Sequence, residues 1–308
     1  MAVALVVVIA SISAAQRKSP RTVQRAKPPQ WTRAQLDLFF PDVRQVLKGP
    51  RPAKTDRTPA GRRVPVPGTD PKIPAGVGFV WSKLVSADTL ENEVKLYNER
   101  LQQAVTTPGK YKAGGYKEGR KALTALALAF AVIGEHDGDV RWKRDAAGWR
   151  DEFARAGFNS KVGSTGAYNE AKRLKRDLAD LVRGETIEVK SAKSGASWPK
   201  VLDRPQLMKR LGDAFDKRLK VALASAGDFK ANRERVRHEA EIIAMLAEIM
   251  TREGIEDFDD EDYVAIARRM QIAARQLVES IGSANYAQAS KAAAVMTKSC
   301  SACHEEYR

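Results

Sequence analysis

The sequence is short of the residues that most binding and catalytic chemistry uses. Among 308 residues there are two cysteines and three histidines, and aromatic residues make up 7%. Two cysteines cannot build the disulfide framework of a small secreted domain, and a closed zinc site needs four ligands. Polar–apolar alternation of strand length is absent, which argues against a sheet fold. There is no phosphate-binding glycine loop, dinucleotide fingerprint, nucleophile triad or carboxylate pair. An enzyme built on any of these is not expected.

Both cysteines lie in the terminal stretch CSACHEEYR, where Cys300, Cys303 and His304 form a Cys-x-x-Cys-His motif. On a helix, positions i, i+3 and i+4 share one face. Two thiols can then add to the two haem vinyl groups while the imidazole reaches the iron, which makes this a c-type haem attachment motif. The cofactor expected is one covalent haem c per chain, with His304 as the metal ligand. A redox dithiol would need a thioredoxin-like strand–helix setting, and no βαβ pattern precedes Cys300. A zinc site would have only three clustered ligands, and a structural disulfide leaves His304 unexplained.

An export signal agrees with this motif. Ala2 to Ala10 is an apolar run too short to span a bilayer, followed by Ser13-Ala14-Ala15, a pattern suited to cleavage before Gln16. No Lys or Arg precedes the run, which a misassigned start or an uncleaved membrane anchor would explain. Covalent haem attachment takes place outside the cytoplasm, so a periplasmic or otherwise exported protein is expected. The net charge is +15, divided as +10 over residues 1–80, +6 over 81–202 and −1 over 203–308. An acidic envelope surface or acidic protein suits that basic excess better than nucleic acid. A solvated basic tail is the plainest reading.

Eleven of the fourteen prolines lie between Pro20 and Pro74, so residues 16–80 read as an extended basic tether. Within it, residues 31–48 carry Trp31, Leu36, Phe39 and Phe40, a short amphipathic element kinked near Pro41. Helical patterns follow over 86–107, 113–135, 140–157 and 165–184, separated by Pro108-Gly109, Gly138, Gly157 and Gly163. A Ser/Lys/Gly stretch near 190–198 leads to a second set over 204–225, 229–253, 260–282 and 284–307. Asp203 is the expected N-cap of this set, and Gly254 and Gly282 are its stop signals.

The two sets read as an internal repeat. Each has an apolar second helix, and each fourth helix opens with Tyr-x-x-Ala, at Tyr168 and at Tyr286, 118 residues apart. At that offset Cys300, Cys303 and His304 correspond to Val182, Glu185 and Thr186, so the first copy, residues 81–190, is expected to be haemless. The expected fold is all-α: two tandem antiparallel four-helix bundles, the second (203–308) carrying haem near the end of its last helix.

With only four residues after His304, the chain cannot wrap over the haem from that side. The ending CSACHEEYR matches CxxCHxxYR, and Arg204-Pro205-Gln206-Leu207-Met208 matches Arg-x-x-Leu-Met. On these residues the segment 203–308 resembles the cytochrome c′ (class II cytochrome c) family of four-helix bundles. The resemblance implies a high-spin, five-coordinate iron on His304, with Arg308 close to that histidine. It also implies Arg204 near a haem propionate and Met208 over the distal face without bonding.

The implied function is that of an exported monohaem c-type cytochrome transferring single electrons to a redox partner protein. The alternative is a haem protein that binds or senses a small gas such as NO or CO. A third role is a scaffold in which residues 16–202 dock the haem domain. A weak peroxidase-type activity is compatible with an open iron position, and a homodimer through the first two helices is a further partner the resemblance implies. Bundle geometry brings Met208, Met245 and Met250 towards the haem end. His238 lies roughly 20 Å away at about 1.5 Å per residue, so it reads as solvent-facing or capping. His136, in a turn, reads as exposed.

Overall fold

A computed structural model of the chain describes residues 79–308, apart from Ser191 and Ser194. The expected export signal (1–15), the expected amphipathic element at 31–48 and all but the last two residues of the expected tether (16–80) lie outside the described residues. All regular structure among the described residues is helical. None of these helices is long and apolar enough to cross a membrane.

Eight main helices fall into two sets. The first comprises α1 (Ala87–Ala104), α2 (Tyr116–Glu135), α3 (Ala146–Asn159) and α4 (Thr165–Arg183). The second comprises α5 (Arg204–Gly212), α6 (Arg233–Met250), α7 (Glu261–Gly282) and α8 (Tyr286–Glu306). Five of them begin on a side chain that accepts a hydrogen bond from a free first-turn N–H: Ser86, Ser164, Asp203, Asp260 and Asn285. In the first set α2 packs on α1 and α3, and α4 on α1 and α3. In the second, α7 packs on both α6 and α8, and α6 on α5.

The second helix of each set is the central rod. Ala122 to Ile133 in α2 and Glu239 to Met250 in α6 are buried without interruption. The stretch in α2 is apolar apart from Thr124, and that in α6 also buries Glu239, Glu241 and Glu248, each bonded to a partner. Each rod meets its own set on one side and the other set on another: α2 touches α5, and α6 touches α1.

Several details differ from the sequence reading. The helix expected over 204–225 is α5 followed by a π-helical stretch, Asp213–Leu219, and one further turn, Lys220–Ala222. A short helix, Ala226–Ala231, then precedes α6. Gly157 is not a turn but lies inside α3, where a Cβ would sit 2.9 Å from Thr124 Oγ1. His136 is buried, not exposed. Its Nδ1 accepts from Gly138 N at 2.9 Å, so Nε2 carries the proton and donates to Val85 O at 3.0 Å. His238 is not solvent-facing either; it sits between Glu239 (3.1 Å) and Glu93 (3.4 Å). Met245 is fully buried core, away from the cleft described below.

The repeat offset has physical counterparts. Tyr168 packs edge-on against Tyr111 at 5.7 Å, and Tyr286 packs against Phe229 at 6.0 Å, with both partners 118 residues apart. Each tyrosine hydroxyl donates to a carbonyl just past the end of its set's first helix, Thr106 O at 3.3 Å and Leu223 O at 3.0 Å. The N-caps Ser86 and Asp203 correspond at 117, so the offset varies by one residue along the chain; each set carries a π-helical stretch, Tyr111–Gly115 and Asp213–Leu219.

Candidate functional site

Cys300, Cys303 and His304 all lie within α8, so the helical spacing inferred for the motif holds along one face. They border a cleft of about 440 Å³ between α5 with its π-helical extension, the end of α6, α7 and the end of α8. That volume lies within the roughly 300–1,000 Å³ typical of cofactor and ligand sites. Cys303 is buried, Cys300 half-buried and His304 exposed at the rim. The wall facing α8 is apolar over Met208, Leu211, Phe215, Met250, Ile266 and Met270, with the ion pair Asp216–Lys220 also lining the cleft. None of the apolar side chains donates a hydrogen bond.

Both cysteines are free. Burial pushes both thiols up; the Asp216 carboxylate adds to this at Cys300, whereas the Arg204 guanidinium opposes it at Cys303. Raised thiols are the opposite of the lowered ones that an activated redox dithiol needs. No group of three or more His, Cys, Asp or Glu side chains among the described residues converges to hold a metal ion alone. The pair therefore fits neither a thiolate redox motif nor a protein-only zinc cage.

Arg204 opens α5, and its Nη1 donates to Asp257 at 2.7 Å and Glu256 at 3.2 Å. Its guanidinium lies 5.1 Å from the ring centre of Tyr263, whose hydroxyl is buried without a hydrogen-bond partner. Burial pushes that hydroxyl up to about 12. Tyr307, from the motif's YR ending, donates to Asp260 Oδ1 at 2.6 Å, and its ring meets Tyr263 edge-on at 5.1 Å. Because Asp260 also caps α7, this bond fastens the end of α8 to the start of α7. Arg308 is exposed.

Of the residues singled out from sequence, Met208, Cys300, Cys303 and His304 line one cleft, with Arg204 behind Cys303. Met250 also lines it, as bundle geometry suggested. Sequence reading missed Met270, Phe215 and Ile266, whose periodic apolar spacing reads only as core, and Tyr263, which carries no motif of its own.

The first set lacks this site at three levels. Val182, Glu185 and Thr186 stand where the second set has Cys300, Cys303 and His304. Helix α4 also stops early: Gly184, at φ 103°, closes it in a left-handed turn, whereas α8 runs on through the equivalent Ala302 to Glu306. Finally, the following segment crosses the site. Gly148, the counterpart of Ile266, lies against residues 189–190, and a Cβ there would come within 2.6 Å of Lys190 O and 2.8 Å of Val189 Cγ1. Gly148→Ala is expected to cost about 1–3 kcal/mol through overpacking. Limited proteolysis should then cut residues 185–197 faster than in the parent; an unchanged cutting rate would mean the segment does not pack there.

A second cleft, about 390 Å³, lies between α1, α2 and the extension of α5. Each of its cations already has a carboxylate partner: Lys121 has Glu118 at 2.8 Å, Arg100 (3.8 Å) and Lys217 (2.5 Å) share Asp213, and Arg218 pairs with Glu239. Neither a family model, nor a curated protein, nor a solved structure matches this chain.

Proposed function

We propose that residues 203–308 form a cytochrome c′-like four-helix bundle carrying one covalent haem c, and that the protein is an exported monohaem cytochrome transferring single electrons. Residues 81–190 are read as a haemless bundle of the same design. The observation that carries the proposal is the placement of Cys300, Cys303 and His304 on one face of α8, bordering an apolar cleft of cofactor size.

The Cys300 and Cys303 thiols would each add across a vinyl double bond, sulfur to carbon and the thiol hydrogen to the neighbouring carbon. His304 Nε2 or Nδ1 would hold the iron. Bound there, the haem supplies one-electron exchange and an iron position for a diatomic gas. Met208, Met250 and Met270 keep water from the far face, and a dry, low-dielectric wall is one lever on the potential. Arg204 and the unpartnered Tyr263 hydroxyl are donors suited to a propionate carboxylate at the Cys303 end. Arg204 would then share its charge with Asp257.

A gas-binding role is the second reading, favoured by the apolar part of the cleft. Met208, Met250 and Met270 offer thioethers and Leu211, Phe215 and Ile266 hydrocarbon, which suits an apolar diatomic such as CO or NO, while the amine of Lys220 at the cleft is held by Asp216 at 2.7 Å. An absorption spectrum of the reduced protein with and without CO tests the site. The expected result is a high-spin spectrum that changes on CO addition. A low-spin spectrum indifferent to CO would mean that a side chain such as Met208 already occupies the sixth position.

A further inference from the structure

Several contacts join a residue to its own counterpart in the other set. Trp81 corresponds to Trp198 at the offset of 117, and their rings meet at 6.1 Å. Glu93 corresponds to Arg210 at the same offset. Arg210 Nε donates to Glu93 Oε1 at 2.7 Å, and its Nη2 donates to Glu93 Oε2 at 2.9 Å. Both side chains are buried. A residue can touch its own equivalent only at a two-fold axis, where an isologous interface brings one patch against itself.

Off that axis the contacts are reciprocal by element, though not residue by residue. The N-cap of α1, Ser86, donates through its backbone N (2.9 Å) and Oγ (2.7 Å) to Glu241 of α6. The N-cap of α5, Asp203, accepts from Arg120 of α2. Each first helix is thus held at its start by the other set's second helix. The caps themselves correspond residue by residue, with Ser86 accepting from Thr89 N at 3.2 Å and Asp203 from Gln206 N at 3.1 Å.

We infer that the two halves face each other about a pseudo-two-fold axis, so that the partner subunit of the haem-type half is the chain's own residues 81–202. The inference stands on these contacts alone and does not depend on the haem reading. The axis also shows how the pairing is specified. Two copies of the second half would bury Arg210 against Arg210, and two copies of the first would bury Glu93 against Glu93. Only the unlike pairing sets Glu93 against Arg210, which also meets Glu239 of its own half. Interfaces commonly use such like-charge conflicts to reject the wrong partner. The face built from α1, α2, α5 and α6 is therefore filled within the chain. It is not free for the homodimer through the first two helices that the sequence resemblance suggested.

The test uses the full chain with a protease recognition sequence inserted after the exposed Lys193. Light scattering should give the mass of one chain before cutting. After cutting, the two pieces should stay together at that same mass. Placed in the cut protein, Arg210→Glu sets like charges on the axis and should raise the dissociation constant of the two pieces by about 100-fold or more. Glu93→Arg should do the same from the other side. The proposal is overturned if the uncut chain scatters as two chains, if the parent pieces separate on cutting, or if either reversed variant holds as tightly as the parent. Should a variant lose its helical circular dichroism, the parent's masses before and after cutting still decide.

Discussion

Replacing Cys300 and Cys303 together with alanine should take covalent haem from one per chain to none, read as haem-linked absorbance or peroxidase stain retained through denaturing electrophoresis. Each single replacement should leave a one-thioether species. His304→Ala should leave attachment possible but change the spectrum of the reduced protein, because in the proposed site the imidazole would hold the iron and not the porphyrin edge. The folded chain should survive these changes. Cys303 is a small buried group and Cys300 is half-buried, so truncation to alanine costs on the order of 1 kcal/mol. Helical circular dichroism should therefore separate loss of attachment from loss of fold. A double variant that still carries haem through denaturation would sink the assignment of these thiols.

The fold was legible where one physical signal dominates. The rod α2 announces itself as a nearly all-apolar run and α6 by its run Ile242–Ala247, and Asp203, Gly254 and Tyr168/Tyr286 mark ends and repeats through local chemistry. Other features depend on contacts that no local pattern contains. The π-helical stretch at 213–219 is one of them. His136 looks like a turn residue. It is buried because two backbone groups far apart in sequence, Val85 O and Gly138 N, satisfy both ring nitrogens. Gly157 looks like a stop signal, but a helix-interior glycine also lets two helices approach closely, and that is its use against Thr124.

The candidate site divides in the same way. Its ligand face, Cys300, Cys303 and His304, is a contiguous motif and could be read directly. Its opposite wall is assembled from α5, α6 and α7, and a methionine at helical spacing carries no mark that separates cleft lining from core. Met250 lines the cleft and Met245 does not, although both sit in the same buried stretch of α6. The absence of the site from the first half was legible as Val182, Glu185 and Thr186. Its deeper cause was not. Gly184 ends α4 before the positions of Glu185 and Thr186, and residues 189–190 lie across the counterpart of Ile266.

Arg210→Leu should be the most destabilising single substitution in the interface. Arg210 bridges Glu93 and Glu239, both fully buried, and Arg218 and His238 complete the cluster around Glu239. Removing one partner of a buried ion pair leaves an uncompensated charge and costs about 3–5 kcal/mol. For a folded region of this size that lowers the melting temperature by on the order of 10 °C.

The pH dependence distinguishes this cause from a simple packing defect. Burial alone would push the Glu239 carboxyl up, but Arg210, His238 and Arg218 outweigh it and hold it down to about 2, against an ordinary 4.5. A folded-state value below the unfolded one gives the parent stability that is present above about pH 5 and lost as the pH falls towards 2. In Arg210→Leu the sign reverses over part of that range. Two buried carboxylates with too few cations are relieved when one takes up a proton in the folded state, so folding now binds a proton near neutral pH. The deficit of the variant relative to the parent should therefore shrink as the pH is lowered from 7 to 5. Thermal melts of both proteins at these two pH values measure it, and a deficit that does not change would assign the loss to packing rather than to stranded charge.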